Sequence, residues 1–354
     1  GLFATDTLNA NERLAVTLSG RYDYATVGLT GTSCSDANAL CNNGAALAAT
    51  PGTNTLTDVS GSHSYSRFNP SLGAAFQFAP QLNGFANYAE GFRTPSAIEL
   101  ACADPNSPCT GVPNAFGADP HLKAVISKTV EFGFRGTVSE RLRWRAAAFR
   151  SALQDDIVFN QTNAVQGYFA NVGRTRRQGV ELALDGVNGR FDYALAASWI
   201  DATFESPFTI ANGSNSVCIA VNGAGGGCAG VVAQPGSRIP GIPAATFKLR
   251  AGYALTGQTK VRASVQAQGS QYARGDENNQ DAHGKVPGFA TVKLDVEHRF
   301  EKKFEVFGGV SNLFNTRYST YGTLGSNNLT SGNAEQFRGV AAPRLFYAGV
   351  RAMF

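Results

Sequence analysis

The sequence alternates polar and apolar residues over long stretches, and that alternation restricts its possible folds more than any other feature. In Pro287–Phe300, Ala290, Val292, Leu294 and Val296 share one face, and Thr291, Lys293, Asp295, Glu297 and Arg299 share the other. In Ser127–Val138, Val130, Phe132, Phe134 and Val138 oppose Thr129, Glu131, Arg135 and Thr137. Successive strand side chains point to opposite faces, so each stretch builds one oily wall and one charged wall. Alternation and turn residues together predict about thirteen strands. They lie near 2–8, 13–28, 63–79, 83–92, 126–138, 141–159, 167–185, 189–204, 244–255, 259–272, 287–300, 303–315 and 343–354.

The connections follow a rule of their own. Asn9–Glu12, Pro80–Leu82, Ser139–Glu140, Gly186–Asn188, Thr256–Gln258 and Glu301–Lys302 are short, whereas 29–62, 93–125, 160–166, 205–243, 273–286 and 316–342 are long. Short and long alternate without a break. That order is expected when turns lie on one side of a membrane and loops on the other. Only 16% of the 354 residues are charged and 43% are hydrophobic, yet there is no run of eighteen apolar residues to make a transmembrane helix. Hydrophobicity spread over every second residue, with 40 Gly, suits an all-β, antiparallel transmembrane β-barrel. A large soluble sandwich or propeller competes on composition alone. Phe78, Phe85, Trp144, Phe191, Tyr193, Tyr253, Phe300, Phe304 and Phe354 gather near the short turns or the C-terminus, as an aromatic girdle does. In the barrel reading, Glu131, Arg135, Arg143, Arg145, Arg262, Gln266, Gln268, Lys293, Asp295, Glu297 and Arg299 face the lumen, solvated, paired with one another or touching a solute.

Other functions find little support. The net charge is +4 with no basic stripe, so no nucleic-acid partner is predicted. No G-x-S-x-G, H-E-x-x-H or P-loop occurs, and His63, His121, His283 and His298 lie in unrelated contexts. No enzyme, cofactor or metal is predicted. The six cysteines fall as Cys34/Cys41, Cys102/Cys109 and Cys218/Cys228, each pair within one long loop. Six cysteines allow fifteen connectivities, and local pairing in an oxidising compartment predicts three loop disulfides. The chain opens at Gly1 without a charged n-region or an apolar h-region, which predicts that any export signal lies outside it.

Three segments carry a family resemblance. The last strand, with Tyr347, Gly349 and a terminal Phe354, resembles the signal read by the bacterial barrel-assembly machinery. Asn87–Leu100, with Gly91, Phe92, Arg93, Pro95, Glu99 and Leu100, resembles the "GFR-x-P" strand-to-loop segment of TonB-dependent outer-membrane receptors. Val310–Tyr318, with Asn312, Leu313, Phe314 and Tyr318, resembles the "N-L-F" segment of that family's penultimate strand. The long acidic, Cys-bearing loop after Arg93 is most similar to receptors for ferric citrate and other ferric siderophores.

The resemblance implies a 22-stranded barrel closed by a plug. Residues 1–354 are then its C-terminal portion, without a second domain, and the plug and TonB-engaging segment lie outside the chain. It also implies a multi-pass protein of the bacterial cell outer membrane that imports a scarce solute, first of all a ferric siderophore or chelate. The implied partners are the TonB complex, through segments absent here, the ferric chelate, outer-membrane lipid and lipopolysaccharide, and the barrel-assembly machinery. Arg93, Arg174, Arg176 and Arg177 are the candidate solute contacts, because guanidinium groups suit anionic chelates; contact with lipopolysaccharide or a merely solvated rim is the alternative for each. A plug-less porin-like channel and a β-rich surface adhesin remain the alternatives.

Overall fold

The computed structural model of the chain describes residues 1–35, 55–58, 60–105, 109–110, 121–139, 141–161, 166–210, 214–217, 219–220, 228–300, 303–327, 329 and 333–352. Thirteen strands form one antiparallel sheet in which each pairs with its neighbours in chain order. They are β1 (Leu2–Asn11), β2 (Leu14–Leu29), β3 (Gly61–Ala79), β4 (Leu82–Arg93), β5 (Val125–Ser139), β6 (Leu142–Gln154) and β7 (Thr175–Asn188). The remainder are β8 (Phe191–Phe204), β9 (Ala245–Ala254), β10 (Thr259–Gln268), β11 (Phe289–Phe300), β12 (Phe304–Ser311) and β13 (Leu345–Ala352). At one end the connections span two to four residues; at the other they are the long loops. The predicted count and the predicted alternation of turns and loops both hold. The sheet and its loop elements make up the described residues, and a lumen plug is not among them.

Register keeps the two walls in phase. Phe132 stands opposite Ala86 and Ala148, and Val180 opposite Ala148 and Trp199. On this wall Phe132 is 57% exposed, Leu182 51% and Phe300 51%. The other wall is a ladder of ion pairs: Arg145–Glu131 at 2.6 Å, Arg143–Asp185 at 2.7 Å, Lys293–Asp295 at 3.0 Å and Arg262–Glu297 at 3.5 Å. A soluble fold would bury the first wall and expose the second. Here the oily wall is outside, which is the arrangement of a barrel in lipid. Phe85 departs from the expected girdle. Its ring lies on the polar wall over Gly133, with the Arg145 guanidinium 5.3 Å above it.

The last strand shows why its pattern needs particular residues. Tyr347 pairs with Gly309 and donates its hydroxyl to Asp295, while the Lys293 ammonium sits 5.0 Å over the ring. A Cβ on Gly309 would come within 2.6 Å of the Tyr347 hydroxyl, so the ring fills the place of a missing side chain. Gly349 leaves the same space for Phe307. Phe354 lies outside the described residues.

Several boundaries differ from the expected ones; β1 runs on to Asn11 and β7 to Asn188, through residues expected to turn. Residues 141–159 read as one strand, but β6 ends at Gln154, where Asp155 adopts φ +54°. Residues 167–185 are likewise divided at Gly173, φ +79°. The stretch between β6 and β7 is therefore a separate hairpin, Ile157–Gln161 with Gln166–Asn171, and the predicted 160–166 loop is only its tip. β12 stops at Ser311 because Asn312 and Asn315 take φ +49° and +52°. The "N-L-F" segment is thus a turn after the strand, held by Thr316 N donating to Asn312 Oδ1 at 2.9 Å. β10 ends at Gln268 rather than 272.

The apolar core lies in the loops. Leu100, Phe204, Ile210, Val231, Val286 and Leu324 are fully buried, and all belong to loops or to the long-loop ends of strands. Three clusters form at the mouth, built on Leu100, on Phe204, and on Val286 with Leu324.

Candidate functional site

The "GFR-x-P" segment builds one side of the mouth. After β4 the chain turns into a one-turn helix, α1 (Ala97–Ala101), within the stretch expected to be a long loop. Ser96 caps it: Glu99 N donates to Ser96 Oγ at 3.2 Å, and Ser96 N donates to Glu99 Oε2 at 2.7 Å. Arg93 then grips Glu99 with both guanidinium nitrogens, at 2.6 and 3.1 Å. Burial alone would raise the Glu99 carboxyl, but the Arg93 guanidinium and the Ser96 amide outweigh it and hold the group below its usual value. Pro95 and Leu100 are buried, Phe92 is half-buried, and Gly91 O accepts from Ser127 Oγ at 3.3 Å. Cys102 and Cys109 form a disulfide beside this helix. Cys41 and Cys218 lie outside the described residues, and with them the Cys34–Cys41 and Cys218–Cys228 pairings.

Arg174, Arg176 and Arg177 do not converge. Neighbouring strand residues face opposite ways. Arg177 shares the polar wall with Thr175 and donates to Asp156 Oδ2 at 3.0 Å and to Thr175 Oγ1 at 3.0 Å. Arg176 points to the other wall, 3.5 Å from Asp201 and 3.4 Å from Glu205. Arg174 is exposed and makes no ion pair among the described residues.

What the loops do line is a half-open cavity of about 370 Å³. Phe159 and Phe169 of the hairpin meet edge to face, 5.1 Å apart, and Phe204, Ile239 and Pro240 complete an apolar wall. Arg274 and Glu277 bring the charge. Burial raises the Glu277 carboxyl to about 7, the charge of Asp276 adds to this, and the Gly275 amide and Arg274 oppose it. Asp276 is raised by its burial, and the Asp281 charge adds to this. Asp281 itself is lowered, since the amides of Ser216 (2.8 Å) and His283 (2.9 Å) outweigh the cost of its burial. Asn215 Nδ2 donates to Gly275 O at 2.9 Å, which pins the carboxylate loop to the preceding one. An aromatic wall with one guanidinium and one carboxyl near neutrality is suited to a ligand with a flat apolar body and an acceptor group.

None of these residues was singled out from the sequence. Gly275–Gly284 reads as an ordinary solvated polar loop, and only its burial marks it. Phe159 and Phe169 read as ordinary strand aromatics.

Below the mouth, the polar wall has a second, open concavity of about 720 Å³, lined by Lys248, Arg250, Lys293, Asn312 and Tyr318. Lys248 and Arg250 have no ion-pair partner among the described residues. Phe314, by contrast, is 70% exposed, and Leu313 serves through its backbone, its N–H donating to Val292 O at 2.8 Å. Among the described residues, no group of three or more His, Cys, Asp or Glu is placed to hold a metal ion.

Comparison with known proteins agrees with this architecture. Residues 1–313 match the family described as TonB dependent receptor-like, beta-barrel. The ferric-catecholate import receptor Fiu from E. coli K12, in its closed form, is 21% identical with a TM-score of 0.67, covering 98% of this chain and 43% of that one. The copper transporter OprC is 17% identical with a TM-score of 0.68, covering 98% and 47%. The ferric yersiniabactin uptake receptor FyuA from Yersinia pestis is 16% identical with a TM-score of 0.67, covering 99% and 45%. The chain thus spans less than half the length of these solved structures, and at such identities the likeness is one of fold.

Proposed function

The chain belongs to the TonB-dependent receptor β-barrel family, an outer-membrane family, and from that premise we propose that residues 1–354 are the C-terminal portion of a receptor that binds and imports a ferric chelate. The observation that carries this reading is the presence of two sites, one among the loops and one on the polar wall. An aromatic cavity with Arg274 and Glu277 stands at the mouth, and a cationic concavity with Lys248 and Arg250 lies below it. A negatively charged chelate with planar donor groups would be stacked at the first and drawn on by the second. That Fiu and FyuA, by their names, take up ferric catecholates and ferric yersiniabactin supports this class of solute.

Arg93 and Arg177 contribute by holding the rim in shape, through Glu99 and Asp156, and Arg174 is the arginine of the four whose side chain is open to a solute. Uptake is coupled to TonB through segments beyond this chain, and the protein is a transporter rather than an enzyme. Tyr347 and Gly349 serve assembly by completing the last strand.

Iron-55 uptake by cells whose only such receptor is the full-length parent tests the proposal. Uptake of catecholate chelates should require TonB, and Phe159→Ala with Arg274→Ala should weaken binding by about tenfold or more, as loss of a central aromatic and a guanidinium does. TonB-independent, non-saturating uptake would instead support the porin-like channel.

A further inference from the structure

A second constellation lies at the mouth, outside the lining of the aromatic cavity. His63, on β3, and His121, just before β5, are 58 residues apart in sequence, yet their Nδ1 atoms are 3.1 Å apart. We propose that these two imidazoles form a binding site for a late first-row divalent ion such as Cu²⁺, Ni²⁺ or Zn²⁺. Two nitrogens bound to one such ion at about 2.0–2.1 Å stand about 2.9 Å apart in square geometry and about 3.3 Å in tetrahedral geometry. The observed spacing lies between these values, so an ion can enter with only a small movement of the rings.

The neighbourhood fixes the pair. The Tyr65 ring lies parallel to His121 at 6.0 Å, and its hydroxyl donates to Leu122 O at 3.0 Å. Lys123 N donates to Asn171 Oδ1 at 2.9 Å, and Asn171 Nδ2 donates back to Lys123 O at 3.1 Å. The segment just after His121 is therefore held at Leu122 and Lys123, while His63 is set by its strand pairing with Val27. Such support of a ligand's orientation is what gives metal sites their affinity. Without metal, one imidazole donates its Nδ1–H to the other's lone pair. Metal entry breaks that hydrogen bond, the donor ring's proton moves to Nε2, and two Nδ1–metal bonds form with no net proton released from neutral rings. The remaining coordination positions stay open to water or to a donor atom of an incoming chelate. No spacing motif could signal this site, because its ligands come from separate elements.

The inference does not depend on which solute the barrel carries. The test uses the full-length parent in detergent, titrated with Cu²⁺, Zn²⁺ and, as a control, Mg²⁺. Calorimetry should show one Cu²⁺ site, and the electron spin resonance spectrum should show coupling to two nitrogens. His121→Gln, at an exposed position, should lower Cu²⁺ affinity about tenfold or more and leave coupling to one nitrogen. His63→Ala with His121→Ala should abolish the site, whereas His298→Ala should leave it intact. Undiminished Cu²⁺ affinity in the double variant, or a wild-type spectrum without nitrogen coupling, would overturn the proposal. Loss of iron uptake with the Cu²⁺ site intact would count against the transport reading alone.

Discussion

The wall and the mouth of this molecule are organised on opposite principles. Along the wall, large apolar side chains such as Phe132, Leu182 and Phe300 are exposed, and the ionic groups on the far face pair across strands. In the mouth, Leu100, Phe204 and Val286 are fully buried, and Asp276 and Glu277 are buried with them. The wall draws its stability from backbone pairing in lipid, where no backbone group can be left to water. The loops stand in water and must build ordinary cores. One chain thus meets two solvents, and each residue type changes its meaning between them.

The sharpest way to break this comparison is to remove a loop core. Phe204→Ala should cost about 3–5 kcal/mol, read as faster proteolysis and hydrogen exchange in the loops around 157–171 and 205–244. The strand signal in circular dichroism should stay unchanged; loss of the whole barrel would show that the two regions are not separable.

On the wall, adjacent residues can be set against each other. Leu182→Arg places a charge in lipid and should cost about 2–4 kcal/mol in folding into vesicles, while Glu181→Arg, one residue away on the polar wall, should be tolerated. Equal effects would mean that the walls are assigned the wrong way round.

The buried Glu277 adds a pH axis. Its value of about 7 lies above the ordinary 4.5, so the folded loop keeps a proton that the unfolded chain releases between those pH values. Stability therefore falls as pH rises through that window. Glu277→Gln should slow hydrogen exchange in Gly275–Asp281 above pH 7, with a gain of about 3 kcal/mol at most, and should have no effect below pH 4.5. A gain that persists at low pH would show that charge is not the cause.

Smaller effects should follow from the cap and the wall pairs. Ser96→Ala should cost about 1 kcal/mol of loop stability, visible as increased exchange at Leu100. Arg143→Ala, at an exposed pair with Asp185, should change barrel stability by less than about 1 kcal/mol.

The wall was legible in the sequence because its rule is local. Period-two alternation fixed the thirteen strands, and the alternation of turns and loops fixed which end is which. Where two long strands were cut short, a single residue overruled the pattern in each. Asp155 and Gly173, with positive φ, cut two long strands and released the hairpin that carries Phe159 and Phe169. The Gly91–Leu100 motif could be read as a landmark, but its physical task, Arg93 clamping Glu99 over a buried Leu100, could not.

By itself the sequence determined the fold class, the strands and the two faces of the wall, because side-chain alternation depends only on the backbone. Only the tertiary structure decided which loop residues meet. Phe159 lines one cavity with Arg274 and Glu277, and His63 reaches His121, across long stretches of chain. Such contacts are set by which loops pack together, and no local periodicity records them.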